Sequence, residues 1–337
     1  MTADRLAPAL WDLQVNGRWG ISFADPGLTA EQAARIVLAQ APLGTARCCP
    51  TLITAPADHL IRGVRAIAGA CDHDPAVGAM VLGIHLEGPW ISGVDGYRGA
   101  HPVADARDPS WAEFEAIQAA SGGRVKLVTL APERPGAIAF TRRLVDAGVV
   151  VALGHTAADG PTIRKAVDAG ATLSTHLGNG IAATLARHPN PIWWQAAEDR
   201  LFASVIADGH HLDDATMKVL ARAKGPDRLI LVGDASPLAG LPPGRHGGWE
   251  VLATGKVVVV GTPYLAGSAV PLFQGVSNLA RLVGLDAALA AATVNPARLL
   301  GMAAPTIEAN HIRYRVSGVG IELVGARVDG RDYPAGG

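Results

Sequence analysis

The sequence predicts an α/β protein built as one closed (β/α)8 TIM barrel, followed by a short β-rich tail. Eight short β-branched or apolar runs alternate with longer Ala/Leu/Arg segments of helical period. Such alternation means parallel strands joined by crossover helices. Eight units within about 230 residues suit a closed barrel better than an open sheet. Nearly every run ends in polar, function-capable residues, and a barrel builds its active site at the C-terminal ends of its strands. A doubly wound sheet would gather them mainly at one switch point.

In chain order, the first run is Trp11–Asn16, ending in Gln14 and Asn16. Ala46–Thr51 ends in Thr51, and Val81–Glu87 carries His85 and Glu87. Lys126–Ala131 leads to Glu133, Val150–Gly154 to His155, and Thr172–His176 ends in His176. Ala203–Ala207 leads to Asp208, His210 and His211, and Leu229–Gly233 to Asp234. Helical periodicity marks Ala30–Gln40, Asp58–Ala70, Arg134–Ala147, Asp159–Ala169 and Asp213–Lys224. Gly240–Gly267 reads as a loop-rich stretch with one strand-like run, Lys256–Val260. Two helices follow, Val270–Val283 and Asp286–Ala292, and then short strands at Ile312–Val316 and Ile321–Val328. The barrel is expected over residues 8–303 and the tail over 304–337.

Composition narrows the function. With 29 Lys+Arg against 30 Asp+Glu, the net charge of -1 gives no basic footprint for nucleic acid. No apolar run is long enough to span a membrane. The N-terminus lacks a basic region followed by an apolar stretch, so no signal peptide is expected. Cys48, Cys49 and Cys71 form neither a disulfide framework nor a zinc knuckle, and read as buried thiols of a reducing cytoplasm.

Glu87, His155 and His176 come from three different barrel units. One carboxylate and two imidazoles suit a divalent metal with a fourth position open to water. The alternative for each imidazole is a strand cap held by hydrogen bonds. Asp234, beyond the eighth run, is placed to take and return a proton, or else caps the turn that Ser236-Pro237 begins. His85 lies two residues from Glu87 and either orients the site or is a satisfied core histidine. His101, closing the Gly99-Ala100-His101 loop, is a candidate for polarising a carbonyl. GxGxxG in a strand-to-helix context, HExxH, Walker A and GxSxG patterns are absent, and no Lys ends a barrel strand, which weighs against Schiff-base chemistry.

The segments DLQVNG (12–17), PTLIT (50–54), GIHLEGPWIS (83–92), RGAH (98–101), VTLAPE (128–133), GHT (154–156), THLGNG (175–180), IADGHH (206–211), DAS (234–236), GSA (267–269) and NPAR (295–298) occur in that order. With them the sequence resembles the N-acetylglucosamine-6-phosphate deacetylases of the amidohydrolase superfamily. The resemblance implies a metal-dependent hydrolase barrel that releases acetate from an N-acetyl amino sugar. It implies Glu87, His155 and His176 as ligands of one divalent metal, Zn²⁺ by preference and Fe²⁺ as the alternative. It implies Asp234 as the catalytic acid/base and His101 as the carbonyl-polarising group. It further implies Asn179, Gly180, Arg187 and His211 as residues that hold the sugar and its phosphate, and a homodimer whose neighbouring subunit completes the phosphate grip. Gln14 and Asn16 stand where other members of the superfamily carry His-x-His, so one metal rather than two is implied. The family's longer N-terminal segment, half of a small β-sandwich, does not precede DLQVNG here, so at most a reduced β subdomain from the tail is expected. An amidohydrolase acting on another N-acyl or cyclic amide, and a non-catalytic sugar-binding barrel, are the other readings.

Overall fold

In the computed structural model, which describes residues 3–336 apart from 263 and 319, eight strands form one parallel sheet in sequential order. We label them β1 (Leu10–Val15), β2 (Thr45–Ile53), β3 (Ile84–Glu87), β4 (Val125–Leu130), β5 (Val150–Leu153), β6 (Leu173–Ser174), β7 (Phe202–Val205) and β8 (Leu229–Leu231). Each pairs in parallel with the next. Between β8 and β1 the ring is joined by a bridge from Val15 to Ala235 rather than by a full ladder. Asp12 Oδ1 strengthens this seam by accepting the Gly233 N–H at 3.0 Å. The result is the nearly closed barrel that the sequence predicts.

The alternation of the strands divides the apolar residues into two layers. Leu13, Cys49, Leu127, Ala152, Leu173, Ile230 and Val232 fill the barrel interior. Leu52, Leu86, Val128, Val151, Val205 and Leu231 face outward into a continuous layer shared with the helices. The helices start where side chains satisfy free N–H groups: Thr29 and Gln32 form a reciprocal capping box, and Asp159 and Asp213 each cap the third helical residue. The helices Trp111–Ala120 and Pro191–Ala197, not singled out by periodicity, follow β3 and β6.

Trp90 anchors the loop that leaves β3 just after Glu87. It is fully buried, packs edge-on against Phe140 with ring centres 4.7 Å apart, and donates its indole N–H to Glu113 at 3.2 Å. Trp90→Ala is expected to cost about 3–5 kcal/mol of folding free energy, read from denaturant unfolding.

Two parts depart from the sequence expectation. The stretch read as loop with one strand is a four-stranded antiparallel sheet: Gly244–His246, Trp249–Val251, Lys256–Val259 and Leu265–Ser268. Its strands have three or four residues each, too few for periodicity to register. The Gly247-Gly248 pair between the first two was the readable hairpin signal. The tail does form strands, His311–Ser317, Gly320–Val328 and Arg331–Pro334, but its sheet has a fourth member from the opposite end of the chain. Arg5–Pro8 pairs antiparallel with His311–Ser317. This sheet packs on the barrel through Ile312, Tyr314, Ile321 and Ala326, and Ser277 Oγ accepts the Ile321 N–H at 3.0 Å.

Candidate active site

Glu87 ends β3, and His155 and His176 each lie two residues beyond the ends of β5 and β6. Barrel geometry therefore brings them to one mouth. All three are buried, and one ligand atom from each falls within 4.8 Å of the others. Glu87 Oε1 lies 2.7 Å from His176 Nε2 and 3.2 Å from His155 Nε2. Gly154 lets β5 deliver His155 here, because a Cβ at that position would come within 2.8 Å of Thr129 and Thr175.

The backbone marks the same residues. His155, His176 and Asp234 have φ of 49°, 30° and 46°, a region that non-glycine residues rarely enter. Such strain persists where the surrounding fold enforces it, and it clusters at working sites. For His176 the enforcing contact is its N–H, which donates to Ser204 Oγ at 2.7 Å.

A divalent cation fits these donors. His155 Nδ1 lies 3.1 Å from the Tyr97 carbonyl, which can only accept, so Nδ1 carries the proton. A neutral His155 then turns the Nε2 lone pair toward the Glu87 carboxylate. Two lone pairs at that separation call for a cation between them. The fixed tautomer is the device by which a second contact orients a metal-binding imidazole. Burial opposes ionisation of Glu87, but its contacts with His155 and His176 hold its carboxyl well below the usual range.

Asp234 and His101 face the same cavity, of about 270 Å³, together with Glu87, His155 and His176. Burial first, then the Glu87 charge, pushes the Asp234 carboxyl up to about 6, against the pull of His176, His211 and Asn16. Asp234 Oδ1 accepts from Gln14 Nε2 at 2.9 Å and from Asn16 Nδ2 at 2.7 Å. His101 Nδ1 lies 2.8 Å from Thr54 Oγ1 and 3.4 Å from the Thr54 N–H, which can only donate; with Nδ1 as the acceptor, the proton of the neutral ring sits on Nε2. That nitrogen lies 4.0 Å from Glu87 Oε2. Burial, then the neighbouring His155, lowers the His101 pKa to about 3, so the ring stays neutral and keeps an N–H donor at the site.

Asn179, Gly180 and His211 also line the cavity. His211 Nδ1 donates to Asp208 Oδ2 at 2.8 Å, so its Nε2 is left to other partners. Although burial opposes it, this contact holds the Asp208 carboxyl well below the usual range. Arg187 is not brought to this cavity. It lies exposed on the loop between His176 and the helix Pro191–Ala197. His85 is a satisfied core histidine: its Nδ1 lies 3.2 Å from the Leu13 carbonyl and its Nε2 2.7 Å from Thr129 Oγ1. Glu133 also serves structure, accepting from Thr156 Oγ1 and from the Ala157 N–H at 2.7 Å. The residues missed at sequence level are Thr54, which fixes His101, and Trp249, Tyr264 and Ala266, which the small antiparallel sheet brings to the cavity wall.

A family model described as the amidohydrolase family matches residues 5–310. The chain belongs to the amidohydrolase family. Membership makes it a hydrolase of carbon–nitrogen bonds, and the residues expected to bind metal form a Glu/His/His site suited to that metal-dependent family. It is 38% identical over 316 residues to the N-acetylglucosamine-6-phosphate deacetylase of Bos taurus, covering 88% of this chain and 75% of that one. It is 34% identical over 304 residues to the N-acetylgalactosamine-6-phosphate deacetylase of Escherichia coli O157:H7, covering 89% of this chain and 79% of that one. A variant of the N-acetyl-D-glucosamine-6-phosphate deacetylase of Mycobacterium smegmatis, solved in complex with N-acetyl-D-glucosamine-6-phosphate, superposes with a TM-score of 0.88. That match has 32% sequence identity and covers 98% of this chain and 87% of the other. No helix among the described residues is long and apolar enough to cross a membrane.

Proposed function

We propose that this amidohydrolase removes the acetyl group from an N-acetylhexosamine 6-phosphate, N-acetylglucosamine-6-phosphate first, giving acetate and the amino sugar phosphate. The observation that carries the reading is the convergence of Asp234, His101 and the Glu87/His155/His176 donor set on one cavity. Glu87, His155 and His176 hold a single divalent ion. Two imidazoles and one carboxylate suit zinc, and iron(II) is the alternative. When bound, the ion supplies Lewis acidity toward the acetamide carbonyl and the attacking water.

The chain's own groups do the rest. Asp234 accepts the proton of the attacking water, and its raised pKa suits it to return that proton to the leaving amine. His101 directs its Nε2–H toward the oxygen on which negative charge develops, a donor of a kind worth about 3–4 kcal/mol elsewhere. Asn179, Gly180 and His211 position the sugar. Arg187 is assigned to the phosphate by resemblance, in a cytoplasmic homodimer in which a neighbouring subunit shares the phosphate grip.

The test is acetate release from N-acetylglucosamine-6-phosphate and N-acetylgalactosamine-6-phosphate, beside the unphosphorylated sugars, with metal content and molecular mass determined on the same sample. The reading expects turnover of a phosphate ester, about one metal per chain, and an Arg187→Ala variant that raises KM for the ester alone. Bound metal with none of these sugars turned over would discard the substrate assignment while leaving the hydrolase.

A further inference from the structure

Gln14 lies in strand β1 and Asn16 just past its end, yet both side-chain amides end at Asp234, at the far end of the barrel sequence. They donate to the same oxygen, Oδ1. Building on the assignment of Asp234 as acid/base, we propose that Gln14 and Asn16 are positioning residues that reserve Asp234 Oδ2 for the transferred proton.

The argument is one of donor and acceptor capacity. An amide N–H2 group only donates, so neither residue can share a proton placed on Oδ1. A proton on Oδ1 would face two N–H donors and forfeit both hydrogen bonds in a buried site, where unpaired donors are costly. Oδ2 carries neither amide bond and can be protonated and deprotonated without disturbing them. The arrangement also fixes the carboxylate plane, because two donors from residues two positions apart hold one oxygen from two directions.

The strand is shaped to deliver both amides. Leu13 packs inside the barrel, so strict alternation would turn Gln14 away from it. The pairing of β1 with β2 shifts register between Asp12 and Val15, a local irregularity of the kind that re-aims side chains next to active sites. Asp12 anchors the shifted segment: its Oδ1 accepts the N–H of Gln14 at 3.1 Å and that of Gly233, the residue before Asp234, at 3.0 Å. Strand and carboxylate are thus tied to one point. Asn16 Oδ1 is buried with no hydrogen-bond partner within the protein, and Asn16 lines the cavity, so this oxygen is left as an acceptor for a molecule bound there.

The test combines Gln14→Met, which keeps length and removes the donor, with Asn16→Ala, singly and together, in the metal-loaded enzyme. The double variant is expected to lose about 10²-fold in kcat, the scale of a misplaced reacting group. Metal content should stay within about twofold of the unaltered enzyme, and so should KM of the Gln14→Met variant, which leaves the free Asn16 oxygen in place. Gln14→Glu, of the same shape but without the donor, should lose activity at least as far as Gln14→Met. In an Asp234→Asn background the Gln14 and Asn16 changes should add no further loss, because they act through Asp234. A double variant with unaltered kcat, or one whose loss follows loss of metal, overturns the proposal. So does recovery of full activity by Gln14→Glu. Unaltered activity of Asp234→Asn alone removes instead the acid/base assignment on which the proposal rests.

Discussion

Asp234→Asn is expected to lower kcat by about 10²–10⁴-fold, the contribution of a positioned acid–base group, while the metal remains bound. The substituted side chain keeps one oxygen to accept from Gln14 and Asn16, so the seam between β1 and β8 is preserved. Its amide group, at the position of Oδ2, can neither take a proton from water nor return one to an amine. Burial already holds this carboxyl up to about 6, so the neutral side chain removes a buried charge rather than creating one. Steady-state kinetics with metal analysis on the same preparation decides the matter. Turnover within about twofold of the unaltered enzyme would take Asp234 out of proton transfer.

Glu87→Gln is expected to empty the metal site and to lower kcat/KM by at least about 10³-fold, since metal polarisation is worth several kcal/mol and each 1.36 kcal/mol is tenfold. Glu87 is the one anion among the three proposed ligands, and its Oε1 is the atom that both imidazole Nε2 atoms face. The amide replaces that charge with a neutral group. The test is metal content after dialysis against metal-free buffer. Stoichiometric metal in the variant would show that the two imidazoles suffice and would move Glu87 to another role.

How much of this was legible in the sequence depends on how far apart the interacting residues lie. Glu87, His155 and His176 could be found because each ends, or closely follows, a run whose periodicity is local. The barrel then does the rest, since any residue at a strand's C-terminal end is carried to the same mouth. His85 could not be separated from a site residue by spacing alone. Only its hydrogen bonds to Leu13 and Thr129 make it a core residue. Arg187 matched a family position, yet the fold leaves it exposed and away from the cavity wall. The small sheet that brings Trp249 and Tyr264 to the site has strands too short for periodicity, with only a Gly-Gly turn to announce one of its hairpins.

The sequence by itself determined the barrel, the order of its eight strands and the placing of Glu87, His155 and His176 at strand ends, because period, turn residues and strand ends are properties of neighbouring residues. Only the tertiary structure decided what those side chains do to one another. The closure of β1 on β8 joins Gln14 and Asn16 to Asp234, and the pairing of Arg5–Pro8 with the tail joins the two ends of the chain. The Tyr97 carbonyl selects the tautomer of His155 and the Thr54 N–H that of His101. Each of these contacts links residues far apart in the chain, and hydrogen-bond direction and proton placement follow from distances of a few ångströms that no local pattern encodes.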